Sequence, residues 1–250
     1  MVKSKIAISI DSPLLALLDS KVDHEIIRSR SQALEFFLRR GLQGQSITTA
    51  ALLIKGDHHP ALLQILKNAS LIKNHIAFFS QHGITTLYII TQHSKYINQL
   101  LVEIANAPIH VEIIEENAKG NAQALLAIKN KVHSDFLVIS GDVYNNFDLS
   151  KMIKKHYSLG LFATMGLMTR QDTKNYGTAI LDGDFIIDFH EKPKHSSTTI
   201  VNAGVYLFKP SVFELFNNVT SLERDLFPKL ARLHQLAGFF TYGEYQHMGE

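Results

Sequence analysis

Asp142 follows the apolar run Phe136-Leu-Val-Ile-Ser140 with only Gly141 between them. A run of that length reads as a buried strand. The carboxylate then stands at the strand's carboxyl end, where open α/β sheets take their ligands. A hard oxygen donor there suits Mg²⁺ bridging phosphate groups; the alternative is an aspartate that caps a turn. Glu191 and Lys192, just before Pro193, set a hydrogen-bond acceptor beside a cation. Such a pair serves either a hydroxylated anion or a surface ion pair. Two further clusters invite a metal reading and do not support it. Asp182-Gly183-Asp184 is a hairpin-turn signal. His58 and His59 are adjacent, and neighbouring side chains rarely converge on one ion, so they read as a solvated loop.

Composition bounds the elements that must carry these groups. A chain of 250 residues, 46% of them hydrophobic, can bury a sizeable core as one large domain or two unequal ones. The formal net charge of +2 means that any basic surface must be local. There are no cysteines, which excludes disulfides and cysteine-ligated metals and fits a reducing compartment. The opening Met1 to Pro13 lacks the apolar core of a secretory signal, and no apolar run approaches the roughly 20 residues that span a bilayer. The expectation is a soluble, cytoplasmic protein. The pattern changes near Gly44–Ser46, dividing the chain into residues 1–44 and 47–250.

In the first part, Lys5-Ile-Ala-Ile-Ser-Ile10 alternates strictly and reads as a strand. Ser12 as N-cap and Pro13 at the first helical position open a helix with Leu14, Leu17 and Leu18 on its apolar face. His24 to Arg28 is a turn. Ser29 to Gln32 reads as a capping box for a second helix, with Ala33, Leu34, Phe37 and Leu38 as its stripe and Gly41 at its end. A lone strand has no partner within the segment, and a unit this small usually needs oligomerisation. Residues 3–43 therefore resemble the ribbon-helix-helix DNA binders of the Arc and CopG type. The resemblance implies a homodimer or higher oligomer whose paired ribbon enters the major groove. Lys5, Ala7 and Ser9 would face the bases. The amides of Ser29, Arg30 and Ser31 would hold phosphate, with Lys3, Arg28 and Arg30 adding contacts. Ala7 departs from the pattern, since it can meet only a thymine methyl. Seven cationic against five anionic side chains in residues 1–44 leave a dimerisation arm without DNA as the alternative.

The second part alternates strand and helix: strands at 50–54, 87–91, 111–114 and 136–140, helices at 70–82, 96–105 and 121–131. Strands at 162–168, 178–181, 185–190 and 204–208 follow. That order predicts a doubly wound α/β sheet. It resembles the sugar-phosphate nucleotidyltransferases through Gly83–Thr91, Gly120–Leu125, Ser140-Gly-Asp142, Tyr176-Gly177, Glu191-Lys-Pro193 and Asn202-Ala-Gly204. The resemblance implies a Rossmann-like, GT-A-like mixed sheet. It places Gly56 at the phosphates, and Gly120 and Asn121 beside a nucleobase. Gly141 and Asp142 fall at a Mg²⁺ site, and Gly177, Glu191, Lys192 and Asn202 around a sugar phosphate.

Two departures from that family stand out. Its glycine-rich loop with an arginine is contracted here to Lys55-Gly-Asp-His-His-Pro60, with Ala61 in place of a lysine. His247 stands where a second metal-binding aspartate is expected. Losing charged groups that act on a transition state typically costs orders of magnitude in rate. The expectation is therefore a DNA-binding transcriptional regulator whose second domain is catalytically inactive and senses a nucleotide, sugar nucleotide or sugar phosphate, or assists assembly. The alternatives are an active sugar-phosphate nucleotidyltransferase with a dimerisation arm, and a scaffold whose pocket binds nothing.

Overall fold

The structure is a computed structural model that describes residues 7–22, 27–43 and 46–248. Its contacts divide into two units, Met1–Ser46 and Ile47–Glu250. In the first unit, helix α1 spans Ser12–Asp19 and helix α2 spans Arg30–Gln43. Asp11, rather than Ser12, caps α1. Its carboxylate accepts from the Leu14 N–H at 2.8 Å, and Pro13 sits inside the first turn. At α2 the Ser29 hydroxyl accepts from the Gln32 N–H at 3.3 Å, but the Gln32 carbonyl takes the Arg28 N–H instead of closing a box on Ser29. Gly41 lies within α2, two residues before its end. The Arg30 guanidinium is committed to Asp19 by two bonds of 2.7 Å, which ties α2 to α1 and removes that cation from the expected phosphate contacts. Ala7 and Ser9 are exposed and belong to no strand; Lys3 and Lys5 lie outside the described residues, as do residues 24–26 of the turn expected from His24 to Arg28. Leu18 and Ala33 are buried, while Leu14, Leu17, Phe37 and Leu38 stay exposed along an apolar groove.

The second unit is built on strands β1 (Thr49–Ile54), β2 (Ile65–Leu66), β3 (Ala69–Ser70), β4 (Thr86–Thr91), β5 (His110–Glu115), β6 (Phe136–Ser140), β7 (Val143–Asn146), β8 (Ala163–Thr169), β9 (Gly177–Asp182), β10 (Phe185–Glu191), β11 (Ile200–Phe208), β12 (Leu236–Phe240) and β13 (Glu244–His247). Nine of them form one mixed sheet in the order β5-β4-β1-β6-β11-β8-β12-β10-β9. β1 pairs in parallel with β4 and β6, and β4 with β5; β11 returns antiparallel to β6 and β8. β1 is apolar without interruption because both of its faces are covered: Ala51 packs into one core layer, Ala50, Leu52 and Ile54 into the other. The chain leaves β1 toward β4 on one side and reaches β6 on the other, which makes a switch point at their carboxyl ends.

Helices α3 (His59–Leu63), α4 (Leu71–Gln81), α5 (Ile97–Ile104), α6 (Asn121–Leu125), α7 (Leu149–Leu159) and α8 (Phe227–Arg232) complete the unit. The helix expected over 121–131 is shorter: α6 gives way to a 3₁₀ turn at Leu126–Ile128. The strand expected at 204–208 begins at Ile200, because Gly204 takes a left-handed φ of +70° at a break in register and conceals the earlier residues from a strand pattern. The β9–β10 hairpin turns at Gly183, and Asp184 pairs with Lys155 at 2.7 Å rather than with a metal. No helix among the described residues is long and apolar enough to cross a membrane.

His75 on α4 is buried and stacks on Phe79 with ring centroids 5.9 Å apart. Burial pushes its pKa down to about 4, against the weaker opposing pull of the Gly141 carbonyl and the Asp142 charge. An unfolded imidazole titrates near 6.5, so between about pH 6.5 and 4 the unfolded chain binds the extra proton. Stability should fall by about 3 kcal/mol across that window on account of this group and be flat above it. Urea unfolding at pH 7.5, 5.5 and 4.5 checks this. His75→Gln should shrink the slope, and an unchanged slope would contradict the assignment.

Candidate functional site

The carboxyl ends of β1, β4, β5 and β6 open into a cleft of about 590 Å³. Asp142 reaches it because Gly141 lets β6 press against β1. The Gly141 N–H donates to the Leu53 carbonyl at 2.8 Å, and a Cβ on Gly141 would come within 2.9 Å of Ile54 Cβ. Gly141 itself does not line the cleft; its role is this packing. The Asp142 carboxylate is met by two imidazoles on one oxygen, His58 Nδ1 at 3.2 Å and His247 Nε2 at 3.7 Å. His247 arrives on the β7–β13 ribbon, locked by the Met248 N–H on the Asp142 carbonyl at 2.8 Å. That ribbon escaped the sequence reading because Val143 to Asn146 is too polar to read as a strand and its partner lies about a hundred residues away.

His58 and His59 diverge. His58 faces the cleft, whereas His59 is fully buried between Thr91 and the Ser94 hydroxyl, the latter at 2.6 Å. The solvated loop expected at this pair is therefore corrected for His59, whose pKa burial lowers. Gly56 is likewise not at the cleft. It packs on the backbone of Gln92 and His93, with room for a Cβ only 3.0 Å from the His93 carbonyl oxygen. The contracted loop offers Lys55 and His58 to the cleft instead, beside Lys119 and Lys192 from elsewhere.

On the opposite wall, register sets Glu191 across from Gly177, where a Cβ would strike Phe189 and come within 2.9 Å of the Glu191 carboxylate. Burial, then the charge of Glu223, raises the pKa of Glu191. Lys192 adopts a left-handed φ of +46°, a conformation costly for a side-chain-bearing residue and typical of functional positions. Its N–H donates to the Tyr176 carbonyl at 3.2 Å and its side chain is exposed. Asn202 is nearly buried. Its carbonyl takes the Gly204 N–H at 2.9 Å and its amide donates to the Tyr206 hydroxyl at 2.7 Å, which shapes the β11 bulge.

Gly120 and Asn121 begin α6 at the third wall. Gly120 is needed because a Cβ there would lie 2.3 Å from the Thr220 carbonyl oxygen, an approach within the chain rather than to a nucleobase. Asn121 bonds Glu223 through its amide and the Leu222 N–H through its carbonyl. Lys55, His58, Gly120, Asn121, Asp142, Gly177, Glu191, Lys192 and Asn202 thus share one cleft. Glu223, Tyr206, Glu116 and Tyr245 also line it and were not singled out. Only a carboxylate two residues after Ser221 hinted at the first. Among the described residues no group of three or more His, Cys, Asp or Glu side chains is arranged to hold a metal ion. A single carboxylate does fit Mg²⁺ that arrives with phosphate oxygens as its other ligands.

A family described as Nucleotidyl transferase matches residues 55–239. A protein of Sulfolobus acidocaldarius whose name contains the words mannose-1-phosphate guanyltransferase is 39% identical over 124 residues, covering 48% of this chain and 34% of that protein. The mannose-1-phosphate guanylyltransferase catalytic subunit beta of Drosophila pseudoobscura pseudoobscura is 30% identical over 148 residues, or 56% of this chain and 40% of that protein. The crystal structure of HddC from Yersinia pseudotuberculosis superposes with a TM-score of 0.69 at 21% identity, over 81% of this chain and 94% of that one, a likeness of fold. The chain spans between about a third and three fifths of the length of the curated relatives it matches. These matches overturn the expectation of a DNA-binding transcriptional regulator with a catalytically inactive domain: the relatives are named for nucleotidyl transfer, and none of those matches concerns DNA. The contracted loop carried too much weight in that expectation, because cationic side chains still line the cleft.

Gly120→Ala should force α6 away from Thr220 and lower stability by about 1–3 kcal/mol, read as a drop in thermal midpoint. Gly41→Ala, in α2 with nothing within 4 Å of the new Cβ, should raise stability by up to about 1 kcal/mol. Equal effects of the two would contradict the close approach at Gly120.

Proposed function

Because this chain belongs to the nucleotidyl transferase family, we propose that its cleft joins a nucleoside triphosphate to a sugar 1-phosphate. The observation that carries this reading is the convergence of Asp142, Glu191, Lys192 and Asn202, from three separate segments, on one cleft at the switch point of the sheet. A phosphate oxygen of the sugar 1-phosphate attacks the α-phosphorus of the triphosphate. The bond from that phosphorus to the oxygen bridging to the β-phosphate breaks, and pyrophosphate departs with that oxygen. The protein's part is positioning and charge stabilisation. Lys192 neutralises the sugar phosphate, and ionised Glu191 accepts hydrogen bonds from sugar hydroxyls. Lys55, His58 and Lys119 face the triphosphate in place of the longer loop. Asp142 would hold Mg²⁺ carried by the triphosphate, and the ion would offset the phosphate charge. The names of the relatives favour a guanine nucleotide and mannose 1-phosphate.

For the first unit we infer a second copy of this chain as partner. Leu14, Leu17, Phe37 and Leu38 leave an apolar groove uncovered on a unit too small to bury a core alone. Leu17→Lys should shift the protein toward monomer in sedimentation; an unchanged distribution would rule this partner out.

Pyrophosphate release should be seen with one nucleoside triphosphate and one of mannose, glucose or glucosamine 1-phosphate in the presence of Mg²⁺. Asp142→Ala should cut turnover by about 100-fold or more, and Lys192→Ala should raise KM for the sugar phosphate by about 10-fold. No release from any pairing would refute the reading.

A further inference from the structure

Two of the cleft's walls, α6 and β11, are far apart in sequence, yet a single carboxylate touches both. Glu223 lies on a π-helical turn, Leu222–Leu226, a type of irregularity frequent at functional sites. It receives the Asn121 amide on both oxygens at 3.0 and 2.8 Å, the Ser221 hydroxyl at 3.0 Å and the Tyr206 hydroxyl at 3.3 Å. Tyr206 in turn receives the Asn202 amide at 2.7 Å, and Asn202 holds the Gly204 N–H. Resting on the transfer reading above, we propose that Glu223 is a positioning residue that joins the α6 wall to the β11 wall and sets them at the spacing the two substrates require.

The geometry separates this role from direct binding. Asn121 and Ser221 donate to one oxygen, Asn121 and Tyr206 to the other, so both carboxylate oxygens are committed within the protein. The turn is rigid on its own account. Asp225 accepts the Thr220 and Ser221 N–H groups at 2.8 and 2.9 Å, and Ser221 caps the turn through the Arg224 N–H. The Thr220 carbonyl accepts the Ala122 N–H at 3.1 Å, and the Asn121 carbonyl takes the Leu222 N–H. The α6 wall is thus docked on a preformed platform. The β11 wall reaches that platform through Tyr206 and its partner Asn202. Tyr206 is 2% exposed, so losing its acceptor is costly.

Glu223→Gln keeps the shape and replaces one acceptor oxygen by a donor that faces other donors. KM should rise by about 5–10-fold for both the triphosphate and the sugar 1-phosphate, with kcat changed by less than about 3-fold. The acid limb of the rate profile should move to lower pH, because Glu191 loses the like charge of Glu223 while still facing Lys192, Arg224 and Tyr206. A lower thermal midpoint with both KM values unchanged, or a rise in only one, would overturn the proposal. A second arm needs no turnover: in hydrogen exchange, peptides covering 120–125 and 200–206 should both exchange faster in Glu223→Gln than in the parent. Change confined to 221–226 would equally overturn it. If the parent protein releases no pyrophosphate, the transfer reading falls while the exchange comparison still decides whether Glu223 is the joint.

Discussion

The parallel pairing of β1 with β4 on one side and β6 on the other is the constraint on which the rest of the cleft depends. Parallel neighbours bring their carboxyl ends to one edge, and a reversal in strand order opens a gap there. The gap is useful only if β6 delivers its carboxylate close to β1. Gly141 makes that possible, since any larger residue would collide with Ile54 and Leu52. Both faces of these strands are buried, so the edge is held by two core layers rather than by the loops that decorate it.

The rigid edge fixes the cleft independently of the short loop after β1. The cleft keeps four cationic or imidazole side chains: Lys55 and His58 from the short loop, and Lys119 and Lys192 from two other parts of the fold. Electrostatic stabilisation depends on where charge is fixed, not on which segment fixes it. The two imidazoles against Asp142 are a local difference with a structural cause: β7 and β13 form a ribbon that swings His247 over the end of β6.

Much of this was legible before the structure. β1 and β6 read as buried strands because they are apolar without interruption; Asp142 was singled out by its place after β6, Glu191 and Lys192 as an acceptor beside a cation, and Asn202 through the family resemblance, and all four line the cleft. Other features escaped for definable reasons. The start of β11 was hidden by a glycine with positive φ, and the β7–β13 ribbon by its polarity. His59 looked like a loop residue because sequence does not reveal that Thr91 and Ser94 satisfy it. Gly56 and Gly141 were assigned to ligand when their missing side chains serve packing. Glu223 depends on partners at 121 and 206, a convergence that only the tertiary fold creates. The larger error concerned function: a missing loop was read as missing chemistry.

On the function proposed above, the cleft, with its short loop, transfers a nucleotidyl group to a sugar 1-phosphate. Phosphorus-31 NMR of the full chain with GTP, mannose 1-phosphate and Mg²⁺ tests it most directly, because substrates and both products are resolved in one spectrum. If transfer occurs, the sugar-phosphate and triphosphate signals decline together while nucleotide-sugar and pyrophosphate signals grow in equal amounts. Unchanged substrate signals, repeated with the other triphosphates and with glucose and glucosamine 1-phosphates, would contradict it.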